Sequence, residues 1–164
     1  MRVLLKLVLD CEPDAAWQAL RSPAVFRQVS SPLMVFTSLD EEGFQETWSE
    51  GEHRVAAKAF GRVPAGEQII AIRTEDRLDH VHGKHESPTR VRIVHDTGRG
   101  LSWPLTLTKH WHHRRAVSAQ ADGRTLYRDQ LEFDAGLLTP LLWLAYWGFW
   151  QWRAVAIERL ARDW

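Results

Sequence analysis

The sequence predicts an α+β domain in which a curved antiparallel sheet is backed by one long, tryptophan-rich C-terminal helix. Two observations carry this. From residue 33 to residue 134 short β-type runs alternate with turn-forming segments, and from residue 137 onward apolar residues recur at helical spacing instead. The chain reads as a single domain over residues 1–164, because no repeat, low-complexity tract or Pro/Gly/Ser-rich linker divides it. A chain of this length buries roughly 70% of the surface its unfolded form exposes, which leaves room for a core and a cavity together.

Residues 3–10 read as a strand with Val3, Leu5, Leu7 and Leu9 facing inward and Lys6 and Asp10 outward. Glu12-Pro13-Asp14 opens a short helix to Arg21, with Pro13 at a tolerated first-turn position and Trp17 and Leu20 on one side. Ser22-Pro23 ends that helix, and residues 24–29 supply a second short helical segment. Residues 33–39 and 44–48, around Asp40-Glu41-Glu42-Gly43, read as one hairpin, and residues 54–60 and 68–73 as the next. Residues 90–95, 105–118 and 125–133 complete an antiparallel meander. In the last of these strands Leu131 and Phe133 claim the buried side, which turns Glu132 and Asp134 to water.

Residues 137–164 form the clearest helix, started by Thr139-Pro140. Leu138, Leu142, Ala145, Phe149, Trp152 and Ala156 recur on one side and are expected to meet the sheet or a cavity. Charge collects only toward the end, at Arg153, Glu158, Arg159, Arg162 and Asp163. Because the first half is apolar nearly all round, it needs cover on more than one side, from its own sheet or from a partner subunit.

Composition excludes several classes. Lys plus Arg and Asp plus Glu number 21 each, so no global field draws in nucleic acid or an anionic membrane. One cysteine, Cys11, forms no internal disulfide, which suits the reducing cytoplasm. The apolar N-terminus superficially resembles an export leader with a lipid-modified cysteine, but Lys6 splits the run and Asp10 stands where a small residue is wanted. Thr139, Pro140, Gly148 and Gln151 interrupt the C-terminal apolar stretch, which falls short of the roughly 20 residues of a spanning helix. No nucleophile elbow, phosphate loop, dinucleotide fingerprint or paired-cysteine zinc motif is present, and no cofactor is expected.

The order strand, two short helices, antiparallel strands and long C-terminal helix resembles the helix-grip fold of the START/Bet v 1-like superfamily, also called SRPBCC or polyketide cyclase/dehydrase-like proteins. The strand-to-helix entry Glu12-Pro13-Asp14-Ala15-Ala16-Trp17-Gln18-Ala19-Leu20 is similar to that family's usual texture. The resemblance spans nearly the whole chain. It implies a sheet wrapped around the last helix, with an apolar cavity between them of the kind that holds lipids, sterols, polyketides or plant hormones in that superfamily. Such a fold hosts many functions, so it does not choose the ligand.

The expected ligand-binding residues are Leu142, Ala145, Gly148, Phe149 and Trp152 on the helix, with Trp111, His110 and His112 on a strand. Trp143, Trp147, Trp150 and Trp152 spread over several helix faces, so core packing is the main expectation for them. Gly148 costs about 1 kcal/mol relative to Ala in a helix interior, which suggests a strand, side chain or ligand approaching closely. In residues 110–115, alternation sets His110, His112 and Arg114 against Trp111, His113 and Arg115, and whichever set faces inward brings imidazole and guanidinium to an apolar pocket. His80 and His82 share a strand face, yet neither histidine group has a full ligand set by spacing, so no metal is expected.

These features predict a protein that binds a small hydrophobic molecule. The competing readings are a cyclase/dehydratase-type enzyme using a pocket His or Arg, and a module that homodimerises through the aromatic helix. An inward-pointing ionisable pair within hydrogen-bond reach favours the enzyme, and a large exposed apolar patch favours the module.

Overall fold

The computed structural model describes residues 1–79 and 89–164. In chain order the elements are β1 (Arg2–Leu9), α1 (Pro13–Leu20), α2 (Pro23–Ser30), β2 (Met34–Ser38), β3 (Gly51–Ala59), β4 (Val63–Asp79), β5 (Thr89–Asp96), β6 (Arg99–Gly100), β7 (His110–Ala119), β8 (Thr125–Asp134) and α3 (Thr139–Leu160). One antiparallel sheet runs β1-β8-β7-β5-β4-β3-β2, with β6 paired to β4, and it curves without closing. The α+β class, the two short helices after the first strand and the long last helix are therefore as the sequence predicts.

The alternation expected in β1 holds: Val3 and Leu9 are buried while Leu4, Lys6 and Val8 are exposed. In α2, Ser22 caps the N-terminus through its hydroxyl, and Pro23 takes the first turn, where its missing N–H costs nothing. Two apolar clusters result. The larger joins Leu20, Phe36, Trp48, Val55, Ile70, Val94, Tyr127 and Ile157, and the smaller joins Val3, Leu131, Phe133 and Trp150.

Three expectations are corrected. Residues 44–48 form no strand, and β2 pairs with β3 instead of with them. Trp48 is the reason: its ring is buried edge-on against Phe26 and Phe44, and its backbone amide donates to the Arg21 carbonyl at 2.7 Å, which fixes the segment as a core-filling loop. Residues 105–107 form a turn of 3₁₀ helix, and the strand begins only at His110.

The third correction concerns α3. Its buried positions are Thr139, Trp150, Arg153, Ala154 and Ile157. Of the side expected to face inward, Leu142 and Phe149 are half-buried, whereas Leu138, Ala145 and Trp152 are exposed. A helix apolar all round has no preferred side by hydrophobicity alone, so its polar anchors choose the rotation. The indole of Trp150 and the guanidinium of Arg153 are drawn under the sheet, and Leu141, Leu144 and Val155 are left on the outside.

No helix among the described residues is long and apolar enough to cross a membrane.

Candidate functional site

Between the inner face of the sheet and α3 lies a cavity of about 620 Å³. Phe26, Met34, Phe36, Ile70, Leu142 and Phe149 form its apolar walls, and Asp96, Trp111, His113 and Arg153 bring polar groups to it. The exposed residues Phe60 and Leu144 also line it, so it opens to solvent between the β3–β4 turn and the middle of α3.

The polar end is organised around Asp129. Alternation in β8 puts Thr125, Tyr127, Asp129, Leu131 and Phe133 on the buried side, and Asp129 is only 1% exposed. Its carboxylate accepts from His113 Nε2 at 2.7 Å, from the Trp150 indole at 2.8 Å and from the Tyr127 hydroxyl at 2.7 Å. Burial by itself raises the carboxyl's pKa, but His113, the nearby Arg153 charge and the Tyr127 hydrogen bond outweigh it and hold Asp129 well below the usual carboxylate range. Burial pushes the pKa of His113 down against the opposing pull of Asp129, which favours the neutral ring. An ionised carboxylate only accepts, which places the single ring proton of His113 on Nε2 and leaves Nδ1 as a free lone pair.

Two buried arginines flank this cluster. Arg115 reaches the Leu20 carbonyl at 3.4 Å, and Arg153 lies with its guanidinium carbon 5.1 Å from the Trp150 ring centre and 5.9 Å from that of Phe149. On the neighbouring strand β5, directly across from His113, Asp96 accepts from the Ala71 and Gly98 amides and from the Trp111 indole. Gly98 is obligatory there, since a Cβ would fall 1.9 Å from the Ile69 carbonyl oxygen.

The structure brings Leu142, Ala145, Gly148, Phe149 and Trp111 together around the cavity. His110 and His112 do not join them. The same strand turns Trp111, His113 and Arg115 inward, where Trp111 packs edge-on against Tyr146 and Trp150, so the alternate set faces outward. There His112 Nε2 lies 3.1 Å from His95 Nδ1, and His95 Nε2 lies 3.0 Å from Glu75. Trp152 stands outside the lining, with its indole donating to the Ser31 carbonyl at 3.1 Å.

Gly148 lines the cavity, but a Cβ built on it meets nothing within 4 Å, so neither strand nor side chain makes the close approach expected from the sequence. The His80 and His82 pair lies outside the described residues. Among those described, no group of three His, Cys, Asp or Glu side chains converges as a metal site would require.

Asp129 and Arg153 were not singled out from sequence. Asp129 was legible, because the alternation that buries Leu131 and Phe133 reaches it two residues earlier. Arg153 carried no such signal, standing where the helix turns charged.

No protein-family model and no curated protein matches this sequence. Solved structures do. A crystal structure of protein CV1439 from Chromobacterium violaceum is similar with a TM-score of 0.59 at 16% identity, over 98% of this chain and 96% of that one. A solution NMR structure of a protein from Staphylococcus epidermidis is similar with a TM-score of 0.62 at 11% identity, over 99% of this chain and 90% of that one. At these identities the likeness establishes the fold and carries no activity.

Proposed function

We propose that this chain binds a small, predominantly hydrophobic molecule in the cavity between the sheet and α3. The observation that carries the reading is the cavity itself: about 620 Å³, walled by aromatic and aliphatic side chains, with a few polar groups gathered at one end. Sites for small ligands have this size and make-up, apolar walls giving affinity and convergent polar groups giving orientation. The resemblance to the SRPBCC superfamily points the same way, toward lipid-, polyketide- or aromatic-like ligands.

The direct test is native mass spectrometry of the purified protein, followed by titration with a neutral apolar fluorophore. Gly148→Leu sharpens it. With open space beside Gly148, a leucine side chain extends into the cavity without meeting the core, so probe affinity should fall while thermal stability holds. Unchanged probe affinity in a stable variant would count against ligand occupancy at that wall.

The enzymatic alternative draws on one observation, the inward His113–Asp129 pair at 2.7 Å. A neutral imidazole oriented by a carboxylate, with its second nitrogen unshared, is a general base in form, and a cyclase- or dehydratase-type reaction begins by removing a proton beside a carbonyl. A 1,3-diketone with an apolar tail should then exchange its central protons for deuterium faster with the protein than in buffer, and His113→Phe should abolish the difference. The homodimer alternative draws on the exposed Leu137, Leu141, Leu144 and Val155, and light scattering of the wild type and Leu144→Glu tests it.

A further inference from the structure

We infer that the cavity takes an apolar molecule carrying an anionic carboxylate head group, and that Arg153 is the residue that receives it. This rests on the cavity-binding reading and adds to it the chemical class of the ligand.

Arg153 is 4% exposed and lines the cavity. Its Nε is buried with no hydrogen-bond partner, and among the described residues no carboxylate oxygen comes within 4 Å of its guanidinium. The carboxylates nearest in the fold are already engaged. Asp129 lies near enough to feel the Arg153 charge but not to contact it, and its carboxylate is taken by three other donors, while Asp96 accepts from two amides and the Trp111 indole. Contact with the Trp150 and Phe149 rings softens the burial of the guanidinium but supplies no acceptor for its N–H groups.

A buried cation is normally paired, and one without a contacting anion beside an open cavity is completed by an anion from outside. The planar fork of a guanidinium matches a carboxylate by two parallel N–H donations. The walls above it, from Phe26 and Phe36 to Leu142 and Phe149, then receive the ligand's hydrocarbon part.

The experiment compares decanoate with 1-decanol, which share a chain and differ in the head group, by calorimetric titration of the wild type and of Arg153→Met. The wild type should bind decanoate about 10-fold or more tighter than decanol, as expected of a charge-assisted bidentate pair. Arg153→Met should erase that preference by weakening decanoate far more than decanol. Equal affinities in the wild type, or a preference that survives Arg153→Met, would overturn the head-group assignment and leave the cavity reading standing. Binding of neither ligand would instead overturn the cavity reading with it. Should Arg153→Met fail to fold, carbon-13 NMR of carboxyl-labelled decanoate on the wild type decides the point. At a pH equal to the free acid's pKa the bound ligand should show the fully ionised shift, and a half-protonated shift refutes the pairing.

Discussion

Strand β7 carries imidazole and guanidinium on both of its faces, and the two faces behave differently. Inward, His113 and Arg115 are buried, and His113 is fixed by the ionised Asp129. Outward, His112 and Arg114 are half-exposed; His112 meets the ring of His95, and Arg114 stands 3.6 Å from Glu132. The same residue types one position apart thus become a rigid buried network on one side and a more solvated face on the other. What separates them is the partner layer: α3 supplies Trp150 and Arg153 to the inner face and nothing to the outer one. Chemistry in this protein is therefore set by which face of the strand the helix covers.

The sharpest break of the contrast is Asp129→Ala. It strands the His113, Tyr127 and Trp150 donors in the interior and should cost about 3–5 kcal/mol in denaturant unfolding. Glu75→Ala, which removes the outer-face partner of His95, should cost less than about 1 kcal/mol. Similar losses for both would show that the two faces are energetically alike.

Acid titration gives the next effect. Burial, first among its causes, lowers the pKa of His113, so the folded chain binds that proton more weakly than the unfolded chain does. Its stabilising contribution is complete above about pH 6.5, the ordinary histidine value, and declines as the pH falls below it. The depressed Asp129 acts lower, its contribution being present above about pH 4 and lost beneath that. Melting temperatures between pH 7.5 and pH 5 should therefore fall, and fall less steeply in His113→Gln, where the amide still donates to Asp129. Burial also lowers His95 and His112, but His112 is half-exposed, so His112→Ala should change the slope less than His113→Gln does. The reverse ranking would place the buried proton switch on the outer face.

The smallest expected effect is a gain. Gly148→Ala lies on an exposed turn of α3 with open space at its Cβ, and it should stabilise the helix by up to about 1 kcal/mol. A loss in thermal unfolding would reveal a neighbour that the structure does not place there.

Most of the sheet was legible because each strand reports its own burial through alternation and each turn carries its own chemistry. Residues 44–48 misled because Trp48 is apolar for a different reason: it plugs the core from a loop, and a short aromatic run does not distinguish the two. The rotation of α3 was not legible either. With apolar residues around its whole circumference, the helix is oriented by two contacts made across more than twenty residues of sequence or only in space, the Trp150 indole on Asp129 and the burial of Arg153. In β7 the sequence separated the two sets of side chains correctly but carried no local signal for which faced inward; that follows from Trp111 packing on Tyr146.

The pairing of β1 with β8 has a kinetic consequence. Val3 lies opposite Leu131, and Trp150 completes the small cluster around them, so this part of the wall joins the first strand to the last strand and last helix. During synthesis β1 emerges long before its partner, and its apolar side waits unpaired while the intervening strands are made. Contacts this distant in sequence slow folding, because loop closure precedes any gain from burial. Refolding of the intact chain should accordingly be slow for its size, with protection of the β1 amides from hydrogen exchange among the last to appear.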